Sequence, residues 1–324
     1  MKKVRNLCCL LVGIAIAVFT VVVNRFNFSA GGGGFPISVL SVIQDWTWQH
    51  PIANKKNGSP IIVGHRGVGI ELKGGQGIAG NTMRSIRKAV ASKADWIEID
   101  VRKSADGTLY LFHDVGVLRV TNAAQVFPGR DDWSFGSFSD QEIKRMRIDY
   151  PGNGSWIPTL AQVLVKFSPN EGVKFILDLK EEVTADELNG AIGDLDPSRV
   201  ILFGKQSCLD PFKDDVSDPG RVKYELGYTA LWSESGNKFQ FLVDYKYKFL
   251  RARCKDLNCQ YLVVPSMFLN QSLIENFRND KDLPGLKILV YGIDENQPCK
   301  VTDMGVDGVI VDDPKNVRRK YYRK

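Results

Sequence analysis

The sequence predicts an α/β protein, a (β/α)8 barrel preceded by an N-terminal apolar helix. Three observations predict it. From Ile61 onward, short apolar runs alternate with helical patterns, which implies parallel strands joined by crossover helices. About eight such runs fall within roughly 260 residues, near the usual size of a barrel. No Gly-x-Gly-x-x-Gly leads from the first run into a helix, which disfavours a dinucleotide-binding sheet.

The chain divides into an anchor over 1–27, a stalk over 28–58, the barrel over 59–318 and a basic tail over 319–324. The run from Leu7 to Val23 carries no charge and follows Lys2, Lys3 and Arg5. It is at the short limit for a membrane span and long for a signal-peptide core. No small-x-small cleavage site follows, which favours an uncleaved signal anchor; cleavage would give a secreted protein. The flanking basic residues keep that end cytoplasmic and put the remainder in the lumen or outside the cell. Sequons at Asn27, Asn57, Asn153 and Asn270 agree with that compartment. So do Cys208, Cys254, Cys259 and Cys299, whose number permits two disulfides. Buried free thiols are the alternative. The stalk is rich in Gly and Ser, holds Trp46 and Trp48, and gives His50 no role. Net charge is +6 and gathers at the two ends of the chain. Solvated termini explain it, as would contact with anionic lipid or a phosphate substrate. No basic, aromatic face argues for nucleic acid.

Within the barrel, "PIIVGHRG" reads as the first strand and Asn81–Ala94 as a helix capped by Asn81. "WIEIDVRKS" and "TLYLFHD" read as the second and third strands, separated by a tight Asp106-Gly107 turn. Residues 115–157 read as irregular with one helix near "SDQEIKRM". A helix over "TLAQVLVKF", a strand over "VKFILDLK", a helix capped by Thr184 and a strand over "RVILFGK" follow. Residues 206–257 resist assignment. "QYLVVPS", "LKILVYGI" and "DGVIVDDP" are the remaining strands, with a helix over "NQSLIENFRND".

A barrel presents reactive groups at the C-terminal ends of its strands. Those ends carry His65 and Arg66, Glu98 and Asp100, His113 and Asp114, then Asp178 and Lys180. The chain has three histidines, and two of them fall at strand ends. A core imidazole bonded to backbone is the plain reading of each. As a pair they suit general acid and base work near neutrality. Glu98 and Asp100 are two apart, so both side chains share one face of a strand. Buried together they repel unless a cation neutralises them, and a hard ion such as Mg²⁺ or Ca²⁺ does so through oxygen ligands. Asp178 could complete that shell, Lys180 could hold a phosphate oxygen, and Arg66 is a suitable bidentate phosphate contact. Charged strand faces in water, or a salt bridge at Arg66, are the alternatives.

The ordered blocks "GHRG", "NTMRSIRKAVASKADWIEIDVRKSADGTLYLFHD", "IPTLAQVL", "FILDLK" and "GVDGVIVDDP" resemble the glycerophosphodiester phosphodiesterases from about Ile61 to Val317. The resemblance implies a TIM barrel, one divalent cation, and cleavage of glycerophosphodiesters to glycerol 3-phosphate and an alcohol. It implies His65 and His113 as the acid–base pair, Arg66 and Lys180 on phosphate, and Glu98 and Asp100 on metal. Three positions depart from the family. Gly80 stands where a metal-binding Glu is usual, with Glu71 as a conceivable substitute. Asp178 stands for a Glu, and Tyr291 with Asp294 stand where Trp and Asn are usual. The venom-type sphingomyelinase D branch is similar on two of these points, which makes Glu98, Asp100 and Asp178 the metal set. Lysolipid cleavage and a catalytically impaired lipid- or phosphate-binding barrel are the rival functions.

Overall fold

The computed structural model describes residues 59–69, 77–149, 154–169, 172–213, 222–230 and 244–322. The strands are β1 (Ile61–Gly64), β2 (Trp96–Lys103), β3 (Leu109–Leu111), β4 (Lys174–Leu179), β5 (Val200–Gly204), β6 (Glu225–Thr229), β7 (Tyr261–Pro265), β8 (Lys287–Tyr291) and β9 (Gly308–Val311). The helices are α1 (Met83–Ala91), α2 (Ala123–Val126), α3 (Asp140–Arg145), α4 (Leu160–Phe167), α5 (Ala185–Ile192), α6 (Gln206–Leu209), α7 (Asp244–Asp256), α8 (Gln271–Arg278), α9 (Cys299–Thr302) and α10 (Pro314–Tyr321).

Eight strands close a ring. They run in the order β1-β9-β8-β7-β6-β5-β4-β2, and β1 pairs with β2 as well as with β9. Every pairing around the ring is parallel. The barrel expected from the alternating runs is therefore present. Its interior is filled by Val63, Trp96, Ile176, Ile201, Phe203, Tyr261, Val263, Leu289 and Ile310. Trp96 and Tyr261, the first residues of β2 and β7, meet edge to face with centroids 5.5 Å apart. Such pairs add about 0.5–1.5 kcal/mol beyond simple burial. Plugged at its floor by these rings, the barrel has its functional end at the strands' C-termini.

The expected strand "TLYLFHD" is a correction. β3 pairs antiparallel with β2, Val101 facing Leu111 and Lys103 facing Leu109, so it lies outside the ring. The ring still has eight strands because β6, within residues 206–257, supplies the one expected from β3. The Asp106-Gly107 turn is as expected, with Gly107 at φ 87°. This hairpin prolongs β2 past the rim and then brings the chain back. Phe112 N–H donates to the Asp100 carbonyl at 3.1 Å, so His113 returns to the level of the acids.

The described residues of 112–149 and 154–157 carry more structure than their composition suggested. Phe112, Val117, Phe135, Phe138, Met146 and Ile148 build a second apolar cluster against Tyr110. Phe112 and Phe135 stack at 4.6 Å within it. Thr82, not Asn81, caps α1, through a capping box with Ser85. Thr184 caps α5 as expected. At the other end, α10 continues through the expected boundary of the basic tail, and its Arg318 Nη2 donates to Asp95 Oδ1 at 2.7 Å.

The anchor, the stalk, Glu71 and the sequons at Asn27, Asn57 and Asn153 lie outside the described residues. Among the described residues no helix is long and apolar enough to cross a membrane. Asn270 caps α8, its side chain accepting from Leu273 N–H at 2.8 Å. Cys208, Cys254, Cys259 and Cys299 are free thiols, so the disulfides their number permits are not formed.

Candidate active site

The mouth begins with the turn after β1. Arg66 adopts φ 51° and Gly67 φ 82°. A side chain at Gly67 would strike the Ser85 carbonyl carbon at 2.6 Å, so only glycine lets α1 approach this closely. The turn presents His65 and Arg66 to a cavity of about 510 Å³. Gly80, Asn81, His113, Asp114, Arg119, Glu295 and Asp312 also line it. The two imidazoles, 48 positions apart in the chain, thus share one cavity.

Both rings are held through one nitrogen. His65 Nδ1 lies 2.7 Å from Asp312 Oδ1, and His113 Nδ1 lies 2.8 Å from Asp114 Oδ1. Each carboxylate favours the tautomer that keeps its proton on Nδ1 and leaves Nε2 for a substrate. Burial alone lowers the pKa of His65, but the Asp312 bond and the nearby Glu98 outweigh it, and the net shift is upward. Burial pushes the Asp114 carboxyl up, yet bonds from His113 and Arg119 hold it well below the usual carboxylate range. Asp312 is itself oriented: Glu295 accepts from the backbone N–H groups of Asp312 and Asp313.

Behind Arg66 stand the acids. Glu98 and Asp100 follow the alternation of β2 and face the barrel interior, while Ile97, Ile99 and Val101 face outward. Register puts Asp178 of β4 directly beside Asp100. Carboxylate oxygens of Glu98, Asp100 and Asp178 all lie within 4.8 Å of one another. Two cations reach in. Lys180 Nζ is 2.8 Å from Asp100 Oδ1 and also bonds Asp178. Arg66 Nε is 3.0 Å from Asp100 Oδ2, and its backbone N–H donates to Glu98 at 2.7 Å. Asn81 clamps Asp100 from both sides, donating to Oδ2 at 2.6 Å and accepting from its N–H at 3.0 Å.

Charge balance decides whether this set suits a metal. Three carboxylates face two cations, which leaves one negative charge buried. The deficit falls on Glu98: burial, then the charge of Asp100, push its pKa up to about 7. Asp100 goes the other way. Burial pushes it up, but Lys180 and Arg66 outweigh that and hold it far below the usual range. A hard divalent cation takes such oxygen donors and relieves the strain on Glu98. The donor set fits that ion. The Arg66 Nε atom is buried against Asp100 without a well-angled hydrogen bond, so charge attraction is what holds the guanidinium on that acid.

His65, Arg66, Glu98, Asp100, His113, Asp178 and Lys180 are therefore found near this one mouth, although His113 arrives by the hairpin and not at the end of a ring strand. Asp312, Glu295 and the clamping role of Asn81 were missed. The strand-end logic that found Asp178 applies equally to "VIVDD" and would have found Asp312. Tyr291 sits near Asp178; burial first, then that charge, raise its pKa. Asp294 instead shapes a turn, accepting from Asn296 N–H, and its neighbour Glu295 takes the place in the cavity.

A family model described as "Glycerophosphoryl diester phosphodiesterase family" matches residues 65–316. The chain belongs to this family. An Arabidopsis thaliana glycerophosphodiester phosphodiesterase is 34% identical over 245 residues, covering 72% of this chain and 66% of that protein. A Caldanaerobacter subterraneus glycerophosphodiester phosphodiesterase is 24% identical over 275 residues, covering 79% and 96%. A human glycerophosphoinositol inositolphosphodiesterase is 38% identical over 97 residues, covering 30% of this chain and 16% of that protein. The chain thus spans only a small part of that longer relative. An Oleispira antarctica phosphodiesterase, solved with its product sn-glycerol-3-phosphate, shares the fold at TM-score 0.62 and 22% identity, covering 81% of this chain and 96% of that one.

Asp312 carries a prediction. Replacing it with Asn removes the charge that raises His65 and leaves burial to lower it. The limb of the pH–rate profile governed by His65 is expected to move to lower pH, whether that histidine works as acid or base. Turnover is expected to fall by up to about 10⁴-fold, the loss that follows when an Asp fixing the tautomer of a general-base imidazole becomes Asn. A profile with unmoved limbs would show that Asp312 does not set the state of His65.

Proposed function

We propose that this chain is a metal-dependent phosphodiesterase that hydrolyses glycerophosphodiesters to glycerol 3-phosphate and an alcohol. The observation that carries this reading is the joint placement of His65 and His113 in one cavity beside three clustered acids. Glu98, Asp100 and Asp178 would hold one Mg²⁺ or Ca²⁺. When bound, that ion offsets negative charge developing on the phosphate. Arg66 and Lys180 orient the phosphate oxygens, with the planar guanidinium suited to two of them at once. One histidine takes a proton at Nε2 from the attacking hydroxyl, either water or the glycerol 2-hydroxyl; attack by the latter closes a cyclic phosphate, which water then opens to glycerol 3-phosphate. The other gives a proton from Nε2 to the leaving alkoxide. Asp312 and Asp114 keep the two rings in the tautomers these transfers need. The same reading has the Leu7–Val23 segment as a membrane anchor, with the barrel in the lumen or outside the cell.

One observation favours a second reading, a lysolipid phospholipase D of the same fold. At Gly80 a Cβ would meet Arg66 Cβ at 2.7 Å, so the Arg66 side chain fills the place where the family's extra carboxylate is usual. The metal set is then that of the sphingomyelinase-like branch. A panel of glycerophosphocholine, glycerophosphoinositol, lysophosphatidylcholine and sphingomyelin, assayed with Mg²⁺ or Ca²⁺ and with chelator, separates the readings. Turnover of the glycerophosphodiesters that stops in chelator is expected. Lysolipid turnover without it would favour the second reading, and inactivity on the whole panel would leave a binding barrel.

A further inference from the structure

We propose that the outer face formed by the start of α1 and by α4 docks the protein on an anionic lipid bilayer, beside the mouth. Trp156 is 59% exposed and Val165 is 73% exposed, and the two line one shallow hollow on this face. Around them Arg84, Arg87 and Lys166 are exposed, and none of the three has an ion-pair partner among the described residues. The Arg147 guanidinium lies over the Trp156 ring. Among the described residues no acidic one lines this hollow.

The combination selects its occupant. Trp is at home in the headgroup layer, where its ring is half buried and its N–H stays wet. Basic side chains at that depth each gain roughly fivefold in affinity from an anionic surface. The face also has a functional position. Asn81 lines the mouth and Met83, two residues on, lines the docking face. Ile148 lines the mouth and its neighbour Arg147 covers Trp156. Val115 and Leu118 are also exposed, on the segment after His113 of the mouth. Docking here holds the mouth close to the lipid surface without help from the apolar N-terminal run, and it requires anionic lipid in the leaflet that the barrel faces.

The test uses the full chain, made without N-glycans because Asn153 lies three residues from Trp156. The quantity measured is the gain in vesicle binding when phosphatidylserine is added to phosphatidylcholine, since the N-terminal run partitions into both. The triple variant Arg84→Glu, Arg87→Glu, Lys166→Glu is expected to reduce that gain at least about 100-fold, from roughly fivefold for each positive charge removed and more for each negative charge added. Brominated lipid is expected to quench tryptophan fluorescence in the wild type, with the part due to Trp156 lost in Trp156→Phe. Unchanged melting temperature shows that these variants fold. An undiminished phosphatidylserine gain in the triple variant, or undiminished quenching in Trp156→Phe, overturns the proposal. So does a wild type that shows no such gain but binds single-stranded RNA through the same residues. Failure of the proposed activity would appear separately, as no turnover of glycerophosphocholine by the wild type, and leaves the vesicle readout intact.

Discussion

His113→Ala and His65→Ala are each expected to lower kcat/KM by about 10²–10⁴-fold, the usual contribution of a positioned acid or base. The two rings are partly open to solvent, with side chains 36% and 40% exposed, so neither loss leaves a large cavity. Melting temperature is expected to change little, which separates a chemical effect from a folding one. The double variant should cost scarcely more than the worse single variant, because both rings serve the same pair of proton transfers. A diester with a good leaving group, such as a p-nitrophenyl ester, assigns the roles. Its departure needs no proton, so it restores the rate of the variant lacking the acid and not that of the variant lacking the base. Equal rescue of both variants, or of neither, would contradict a division of labour between the rings.

How much of this was legible in the sequence follows from what each signal measures. Apolar periodicity reports burial, so β1, β2, β4 and β5 and their helices were readable. It does not report strand direction. "TLYLFHD" has the composition of a ring strand, and only the pairing of Leu109 with Lys103 shows that it turns back. β6 was missed because "ELGYT" is short, holds Gly227 and stands between residues without clear period. The acids were readable because the i, i+2 spacing of Glu98 and Asp100 carries its own geometry. Asp312 was equally readable as the residue just past the end of β9, but a pair of acids before a proline also looks like a helix cap, which Asp313 in fact is. Asn81 looked like a cap for the same reason. Its left-handed backbone, φ 57°, turns its amide onto Asp100 and leaves capping to Thr82.

Asp100→Asn is expected to have the largest combined effect on stability and activity. The carboxylate is buried, and it is the shared partner of Lys180, Arg66 and Asn81. Removing one member of a buried ion pair costs about 3–5 kcal/mol, chiefly because the charges left behind are unmet. Here Glu98 softens the loss. Its pKa stands at about 7 partly because of the charge on Asp100, so it ionises more readily once that charge is gone and becomes a partner for the stranded cations. The cost should therefore fall near the lower end of the range. Activity is expected to drop about 10²–10³-fold, since groups aimed at the developing phosphate charge are displaced. Glu98→Gln gives the opposite sign of stability change. Burial and Asp100 make its ionised form costly in the folded, metal-free protein. A neutral side chain that still accepts from Arg66 N–H removes that cost, so the variant should melt higher than wild type in chelator near neutral pH. It should nonetheless lose activity and lose the rise in melting temperature that added Mg²⁺ or Ca²⁺ gives the wild type. Both melting shifts come from one surplus negative charge shared among three carboxylates and two cations. If Glu98→Gln and Asp100→Asn lowered the melting temperature alike, that shared surplus would be the wrong account of the site.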